Sequence, residues 1–355
     1  MAVRLSLVQL GKGTIGTALV EQIREQRPAL LKRLGVDLVY AGIAGRGSGA
    51  FDAEGLDLGR WRERVESGGL DGGRIVKRAL GALSGTAILV DATAEEGMAA
   101  LYEEALSAGL HVVSCNKKPL TGPMSEYLRV KEAARKKRRF WLYEVSVGAG
   151  LPVIGTLRDL LDSGDRLASI EGCFSGTLNF LCSGLDAGGK FSQVLARARE
   201  MGYTEPDPRD DLGGMDVARK ALILAREAGL SIEPEDVRLE PFCPIDRSGD
   251  VETFMAGAVG LDDALSRKWK SAADRGRRLR YVARVDEACA ASLVEAPADG
   301  ALGRLDGPEN IFVFTTKRYS RSPLVVSGPG AGPAVTAAGA FADIVRIARA
   351  MVRTS

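Results

Sequence analysis

Between Val3 and Leu10 apolar and polar residues alternate at the two-residue period of a half-buried strand, and the run stops at Gly11. The stretch TALVEQIREQRPALLKRL then repeats its apolar positions at helical spacing. Further strand-length apolar runs occur at Asp37–Ala44, Ala87–Asp91, His111–Ser114, FWLYEVSVG and Leu167–Cys173. Helical patterns occur in IGTLRDLLDSGD, ending at Gly164, and in MDVARKALILAREAG, ending at Gly229. Between them, Tyr203–Asp211 carries Pro206 and Pro208, which fix φ and forbid regular pairing, and it is expected as a defined loop. Strands alternating with helices predict an α/β chain.

Its 355 residues can bury a large core and suggest two domains. An apolar content of 45% with 26% charged residues matches an ordinary globular enzyme. A net charge of +2 points to neither nucleic acid nor membrane, and no signal peptide or transmembrane run is evident. Five cysteines are scattered without a CxxC pair, which reads as reduced thiols in a cytoplasm. The sole histidine, His111, lies in the apolar run GLHVVSC and reads as buried or capping. Proton transfer must then use Lys, Asp, Glu or Tyr.

Strand, Gly11-Lys12-Gly13-Thr14-Ile15-Gly16 and helix follow in the order of a Rossmann-type dinucleotide fold. Gly11 makes the turn, Gly13 admits a pyrophosphate, and Gly16 lets helix pack on strand, with phosphate at the helix N-terminus. Ordinary tight turns also use glycines, but here both flanking elements are present. The second strand ends in AGRGSG, where folds selective for NAD carry an acid for the ribose. Arg46 and Ser48 suit a 2′-phosphate better, which favours NADP over NAD; the bland alternative is a solvated loop arginine. Asp91-Ala92-Thr93 and Asn116-Lys117 end later strands and are candidates to line the nicotinamide pocket. The basic run Lys131–Arg139 lacks interleaved aromatics and reads as a solvated helix end.

In YEVSVGAGLP, Glu144 and several backbone carbonyls could cage a hard cation. Ser175-Gly176-Thr177 at a strand-to-helix turn suits an anionic substrate oxygen or a simple helix cap. The stretch GYTEPDPRDDLGGMDVARK crowds acids and bases around two prolines and a glycine pair. Asp216 and Lys220 share a helix face, which is either an exposed salt bridge or an acid–base pair for a small zwitterion.

YEVSVGAGLPVIGTLRDLLDSGD, IEGCFSGTLNF and GYTEPDPRDDLGGMDVARK, with NKKPL before them and PLVVSGPGAGPAVTAAGAFADI after, resemble the successive signatures of homoserine dehydrogenases. The likeness runs from Gly11 to about Ile347. It implies reversible NAD(P)H-dependent reduction of L-aspartate 4-semialdehyde to L-homoserine, on the route to threonine, methionine and isoleucine. Lys220 would exchange the proton, Asp216 would orient it, and Lys117 would lie between cofactor and substrate. Glu205 would bind the substrate ammonium, with Tyr203, Asp211, Gly176 and Thr177 around the amino-acid end. Cofactor contacts would fall on Gly11, Gly13, Thr14, Ile15, Gly16, Arg46, Thr93, Lys117 and Gly332. A monovalent cation, sodium in the family, would be held by Glu144 and the carbonyls of Val147, Ala149 and Leu151.

The resemblance further implies a Rossmann-type domain over residues 1–145, rejoined by 328–355 with a last helix at Ala334–Arg349. An α/β substrate-binding, catalytic and dimerisation domain would cover 146–327, giving a cytoplasmic homodimer through Ser146–Leu151 and Asp286–Ser327. The chain has no room for the kinase or amino-acid-sensing domains of many relatives, so no threonine feedback through such a domain is expected. Two other functions stay open: an oxidoreductase of another amino-acid semialdehyde, and a cofactor-sensing binding protein. A pure sensor would have no use for an acid–base lysine such as Lys220.

Overall fold

The computed structural model describes residues 2–83 and 86–352. The outer ends of the expected first domain, residues 1 and 353–355, lie outside the described residues. The chain forms two compact units, one running to Gly150 and resuming at Ala331, the other Leu151–Gly330.

The first unit carries strands β1 (Val3–Leu10), β2 (Val36–Gly45), β3 (Ser48–Phe51), β4 (Thr86–Asp91), β5 (His111–Ser114) and β6 (Trp141–Leu142). They pair in the order β3-β2-β1-β4-β5-β6, and all pairs are parallel except β2–β3. This is the doubly wound order, reversing beside β1, with an antiparallel edge. Residue pattern does not announce the edge strand after AGRGSG: Gly47 takes φ +67° and folds the chain back so that Gly45 faces Ser48. The helices Thr14–Leu34 and Pro333–Val352 pack on each other and on the sheet through Leu19, Ile23, Ile344 and Ile347, all fully buried. Each such side chain contributes about 1.5–3 kcal/mol of burial.

The run FWLYEVSVG is strand only over Trp141–Leu142. At Glu144 the chain enters a 3₁₀ turn, because the Glu144 N–H donates to the Asp343 carboxylate (2.9 Å) rather than to a sheet neighbour. The basic run closes the helix Met124–Lys137, with Arg135, Lys136 and Lys137 in its last turn and Arg138 at φ +51° as its cap. Cations at that end complement the helix dipole.

The second unit holds β7 (Leu167–Cys173), β8 (Arg238–Leu239), β9 (Arg277–Val285), β10 (Cys289–Pro297), β11 (Asn310–Thr316) and β12 (Leu324–Gly328), ordered β12-β11-β7-β9-β10-β8. Buried Arg280 secures it, donating to Asp186 (2.7 Å) and to the carbonyls of Leu302, Gly303 and Leu305. A buried guanidinium is tolerable only when its donors are satisfied in this way. The expected loop Tyr203–Asp211 is partly helical: Pro208–Leu212 makes a short helix. Proline is tolerated at the first helical position, and Asp207 caps it by accepting from the Arg209 N–H (3.0 Å).

The five cysteines are free thiols, and burial pushes Cys243 and Cys289 up to about 12. Among the described residues no helix is long and apolar enough to cross a membrane. His111 is fully buried, stacks on Phe140, and accepts the Phe140 N–H through Nδ1 (2.9 Å). Burial, helped by the nearby Arg139 guanidinium, lowers its pKa to about 4. The unfolded chain therefore binds a proton near pH 6.5 that the folded chain refuses, and the stability this contributes is lost as pH falls from about 6.5 toward 4. Urea unfolding across that window should show wild type losing up to about 1.4 kcal/mol per pH unit relative to His111→Gln. Parallel pH profiles for the two proteins would show that His111 protonates freely in the folded state.

Candidate active site

The ends of β1, β2 and β4 surround a cleft of about 780 Å³ in the first unit, floored by the Gly11–Gly13 turn. Gly11 takes φ +98°, and a Cβ there would stand 2.5 Å from the Ala92 carbonyl oxygen. A Cβ on Gly16 would stand 2.1 Å from the Gly11 oxygen. Both positions demand glycine. Around Gly13 no atom stands within 4 Å of a Cβ, so the space there is left to a ligand. The turn is braced by Gln9, fully buried, which donates to the Gly11 (2.9 Å) and Gly16 (3.0 Å) carbonyls. Tyr40 donates to the Gln9 oxygen at 2.8 Å. The helix beginning at Thr14 has no acid in its first turn, so the backbone N–H groups of Thr14, Ile15 and Gly16 are suited to an anion.

Asp91 does not line this cleft. It is fully buried, where its carboxylate accepts from Tyr102 Oη (2.5 Å), the Thr93 N–H (2.8 Å) and Asn116 Nδ2 (3.3 Å). Its place is beneath the site. The Asn116 amide also donates to the Glu95 carbonyl (2.8 Å) and accepts from the Lys118 N–H (3.0 Å). The network therefore sets the chain direction at Thr93, Glu95 and Lys117 together. Lys117 is half-buried and opens the short helix Lys118–Thr121.

Arg46 and Glu95 stand on opposite rims of the cleft and pair at 3.1 Å. Lys12 lays its stem over Gly45, where a Cβ would come within 2.7 Å of it. Lys12, Gln9 and Glu95 escaped the sequence reading. Only the doubled acid after β4 offered a hint there. Gly332, at φ +118°, immediately precedes the helix Pro333–Val352.

In the second unit, Lys220 is buried, with Nζ 2.8 Å from Asp216 and donating to the Phe174 carbonyl at 2.6 Å. Asn310 Nδ2 donates to the same carbonyl at 3.3 Å. The Asp216 side chain is 52% exposed, so the pair is dry at one end and wet at the other. Thr177 Oγ1 contacts the Tyr203 carbonyl (2.5 Å) and Asp211 (2.9 Å), and Asp211 also accepts the Glu205 N–H (2.8 Å). Burial raises the Asp211 pKa against the pull of these donors. Gly176 opens the helix Gly176–Asp186, and Ser175 caps it by accepting the Leu178 N–H at 3.3 Å. Ser175 is thus a helix cap, while Thr177 and Asp211 tie the acidic loop to this helix. Tyr203 packs its ring against Phe180.

Glu144 is buried, and its Oε2 accepts from Arg346 at 2.7 Å; Arg346 also donates to Asp343 at 2.7 Å. Burial raises Asp343 to about 6. Val147 is buried, and Gly148 (φ +79°) and Ala149 (φ +53°) turn the chain sharply. The left-handed region costs a non-glycine residue about 1–2 kcal/mol. Leu151 begins the second unit, its carbonyl accepting the Val153 N–H at 2.9 Å.

A family model for homoserine dehydrogenase matches residues 152–345, and one for the homoserine dehydrogenase NAD binding domain matches residues 11–144. Over 347 residues the chain is 42% identical to bifunctional aspartokinase/homoserine dehydrogenase 1 of Arabidopsis thaliana, covering 96% of this chain and 38% of that protein. It therefore spans less than half the length of that relative. It is 42% identical over 278 residues to a homoserine dehydrogenase of Paracoccidioides brasiliensis, covering 74% of each. A hyperthermophilic archaeal homoserine dehydrogenase solved in complex with NADPH superposes with a TM-score of 0.71 at 26% identity, over 98% of this chain and 97% of that one.

Tyr102→Phe tests the network beneath the cleft. Removing one donor to a fully buried carboxylate should lower stability by about 1–3 kcal/mol in denaturant titrations. A change below about 0.5 kcal/mol would mean that Asp91 is held by its other donors alone.

Proposed function

Because this chain belongs to the homoserine dehydrogenase family, we propose that it interconverts L-homoserine and L-aspartate 4-semialdehyde with a nicotinamide dinucleotide. The observation that carries the reading is Lys220, buried and held between Asp216 and the Phe174 carbonyl. A lysine taken out of water in this way is suited to proton exchange, because burial favours its neutral form while the carboxylate favours the charged one. As an amine it has two N–H bonds to keep both partners and a lone pair for the hydroxyl proton of homoserine. In the reducing direction it returns that proton to the carbonyl oxygen. Asp216 fixes the direction of the amine. The bound dinucleotide supplies the hydride acceptor or donor at the substrate carbon.

Glu205 supplies the negative charge for the substrate ammonium, with Tyr203, Asp211, Gly176 and Thr177 around the amino-acid end, and Lys117 serves between cofactor and substrate. Gly11, Gly13, Thr14, Ile15 and Gly16 seat the pyrophosphate, and Thr93 and Gly332 flank the nicotinamide end. Arg46 and Lys12 bring two cations to the end of β2, which favours NADP over NAD. In this reading residues 1–145 with 328–355 are the cofactor domain and 146–327 the substrate and dimerisation domain of a cytoplasmic homodimer. The buried Glu144 carboxylate, with the carbonyls of Val147, Ala149 and Leu151 about the turn at Gly148-Ala149, matches a monovalent cation such as sodium in charge and donor type. Such an ion would share Glu144 with Arg346, so its place is structural. The product homoserine belongs to threonine, methionine and isoleucine biosynthesis.

Initial rates of homoserine oxidation with NADP⁺ and NAD⁺ separately test the reading, with NADP⁺ expected to dominate. Lys220→Ala should lower kcat by about 10²–10⁴-fold and flatten the pH–rate profile while leaving NADPH binding intact. An unchanged profile would remove Lys220 from the chemistry. Cofactor binding without turnover of any semialdehyde would favour a sensor.

A further inference from the structure

A dinucleotide whose pyrophosphate sits on the Gly11–Gly16 turn lays its adenosine ribose beside the end of β2. Arg46 stands there, but it is already engaged. Its Nε and Nη2 both reach Glu95 Oε1 at 3.1 Å, from one rim of the cleft to the other. The pair is solvated, with side chains 94% exposed at Arg46 and 51% at Glu95, yet the backbone of Glu95 is held. Its N–H donates to Thr93 Oγ1 (3.2 Å) and its carbonyl accepts from Asn116, which is itself buried and bonded to Asp91. The backbone of a carboxylate at the mouth of the cleft is thus fixed from below, facing the arginine that a cofactor would meet.

We propose that Glu95 is a specificity-determining residue, an internal anion that occupies Arg46 until the 2′-phosphate of NADP displaces it. This rests on the dinucleotide reading of the cleft given above. The chemistry is a competition between anions. A 2′-hydroxyl carries no charge and cannot take the guanidinium from a carboxylate. A 2′-phosphate carries up to two negative charges and three acceptor oxygens, matches the guanidinium fork, and finds Lys12 beside it. NADP therefore opens the pair and gains Arg46, whereas NAD binds past a closed pair and gains nothing from it. Because Glu95 costs NADP part of its advantage, the residue sets how far the chain prefers one cofactor over the other.

The experiment is calorimetric titration of the full chain with NADPH, NADH and 2′,5′-ADP, at low and at high salt. Glu95→Gln, Arg46→Gln and the double variant are compared with wild type. Glu96→Gln serves as the control, since Glu96 carries the same charge one residue away but pairs with Lys118 at 3.0 Å. Glu95→Gln should tighten NADPH and 2′,5′-ADP by about two- to fivefold, the worth of one exposed ion pair, and leave NADH unchanged or weaker. The gain should shrink at high salt and vanish when Arg46 is also replaced. The inference is overturned if NADPH and NADH tighten together, if neither changes, or if Glu96→Gln does as much. Wild-type protein that binds neither dinucleotide would instead refute the cofactor reading itself, and this inference with it.

Discussion

One contact of backbone on backbone governs the first unit. The end of β1 meets the end of β4 so closely that only glycine fits at position 11, with the Ala92 carbonyl where a Cβ would be. That approach opens the crevice at the point where the strand order reverses from β1. It holds because each side is braced from within: Gln9 and Tyr40 on one, Asp91 and Tyr102 on the other. Buried polar groups of this kind are costly unless every donor and acceptor finds its partner. These do, and they use the partnership to aim the glycine turn, the Thr93–Glu95 loop and the residues before Lys118.

Much of this was legible from residue pattern. Strands Val3–Leu10, His111–Ser114 and Leu167–Cys173 fall where alternation and apolar runs place them. So do the helix stop at Gly229 and the burial of His111. Periodicity reads these well because each contributes its own face to the core. It failed where a distant residue decides the outcome. The run FWLYEVSVG has strand composition, yet Asp343, far along the chain, draws off the Glu144 N–H and bends it. Pro208 was read as a breaker, but one residue after a capping aspartate it begins a helix instead. Asp91 stood at the right place for a cofactor contact, and nothing local announced that Tyr102 would hold it underground.

The same distinction divides the glycines. Gly11 and Gly16 are required by backbone on either side, which structure alone can measure. Gly13 meets no protein atom within 4 Å of a Cβ, so packing does not demand glycine there. At Arg46 residue type favours a 2′-phosphate, but the acid it meets in the fold is out of reach of local pattern. Whether such an arginine is solvated or recruited depends on its counter-ion, and Glu95 arrives from the end of a strand two places away in the sheet.

Lys220 shows how far the setting of one side chain can depend on residues outside its own motif. An Asp/Lys pair one helical turn apart is worth a few tenths of a kcal/mol when both groups are in water. Spacing alone therefore cannot separate a surface salt bridge from a proton-transfer pair. What sets this pair apart from a surface salt bridge is the Phe174 carbonyl, which lets Lys220 leave solvent without an unsatisfied ammonium. No side-chain replacement at position 174 removes that oxygen. It is placed by β7, whose Cys173 pairs with Ile311 of β11, and by the stacking of Phe174 on Phe312. A slip of one residue in that pairing would turn the neighbouring side chains to the other face and carry the carbonyl away with them. The position of the Lys220 nitrogen is thus written in the register of a sheet that the acidic loop and its helix do not belong to.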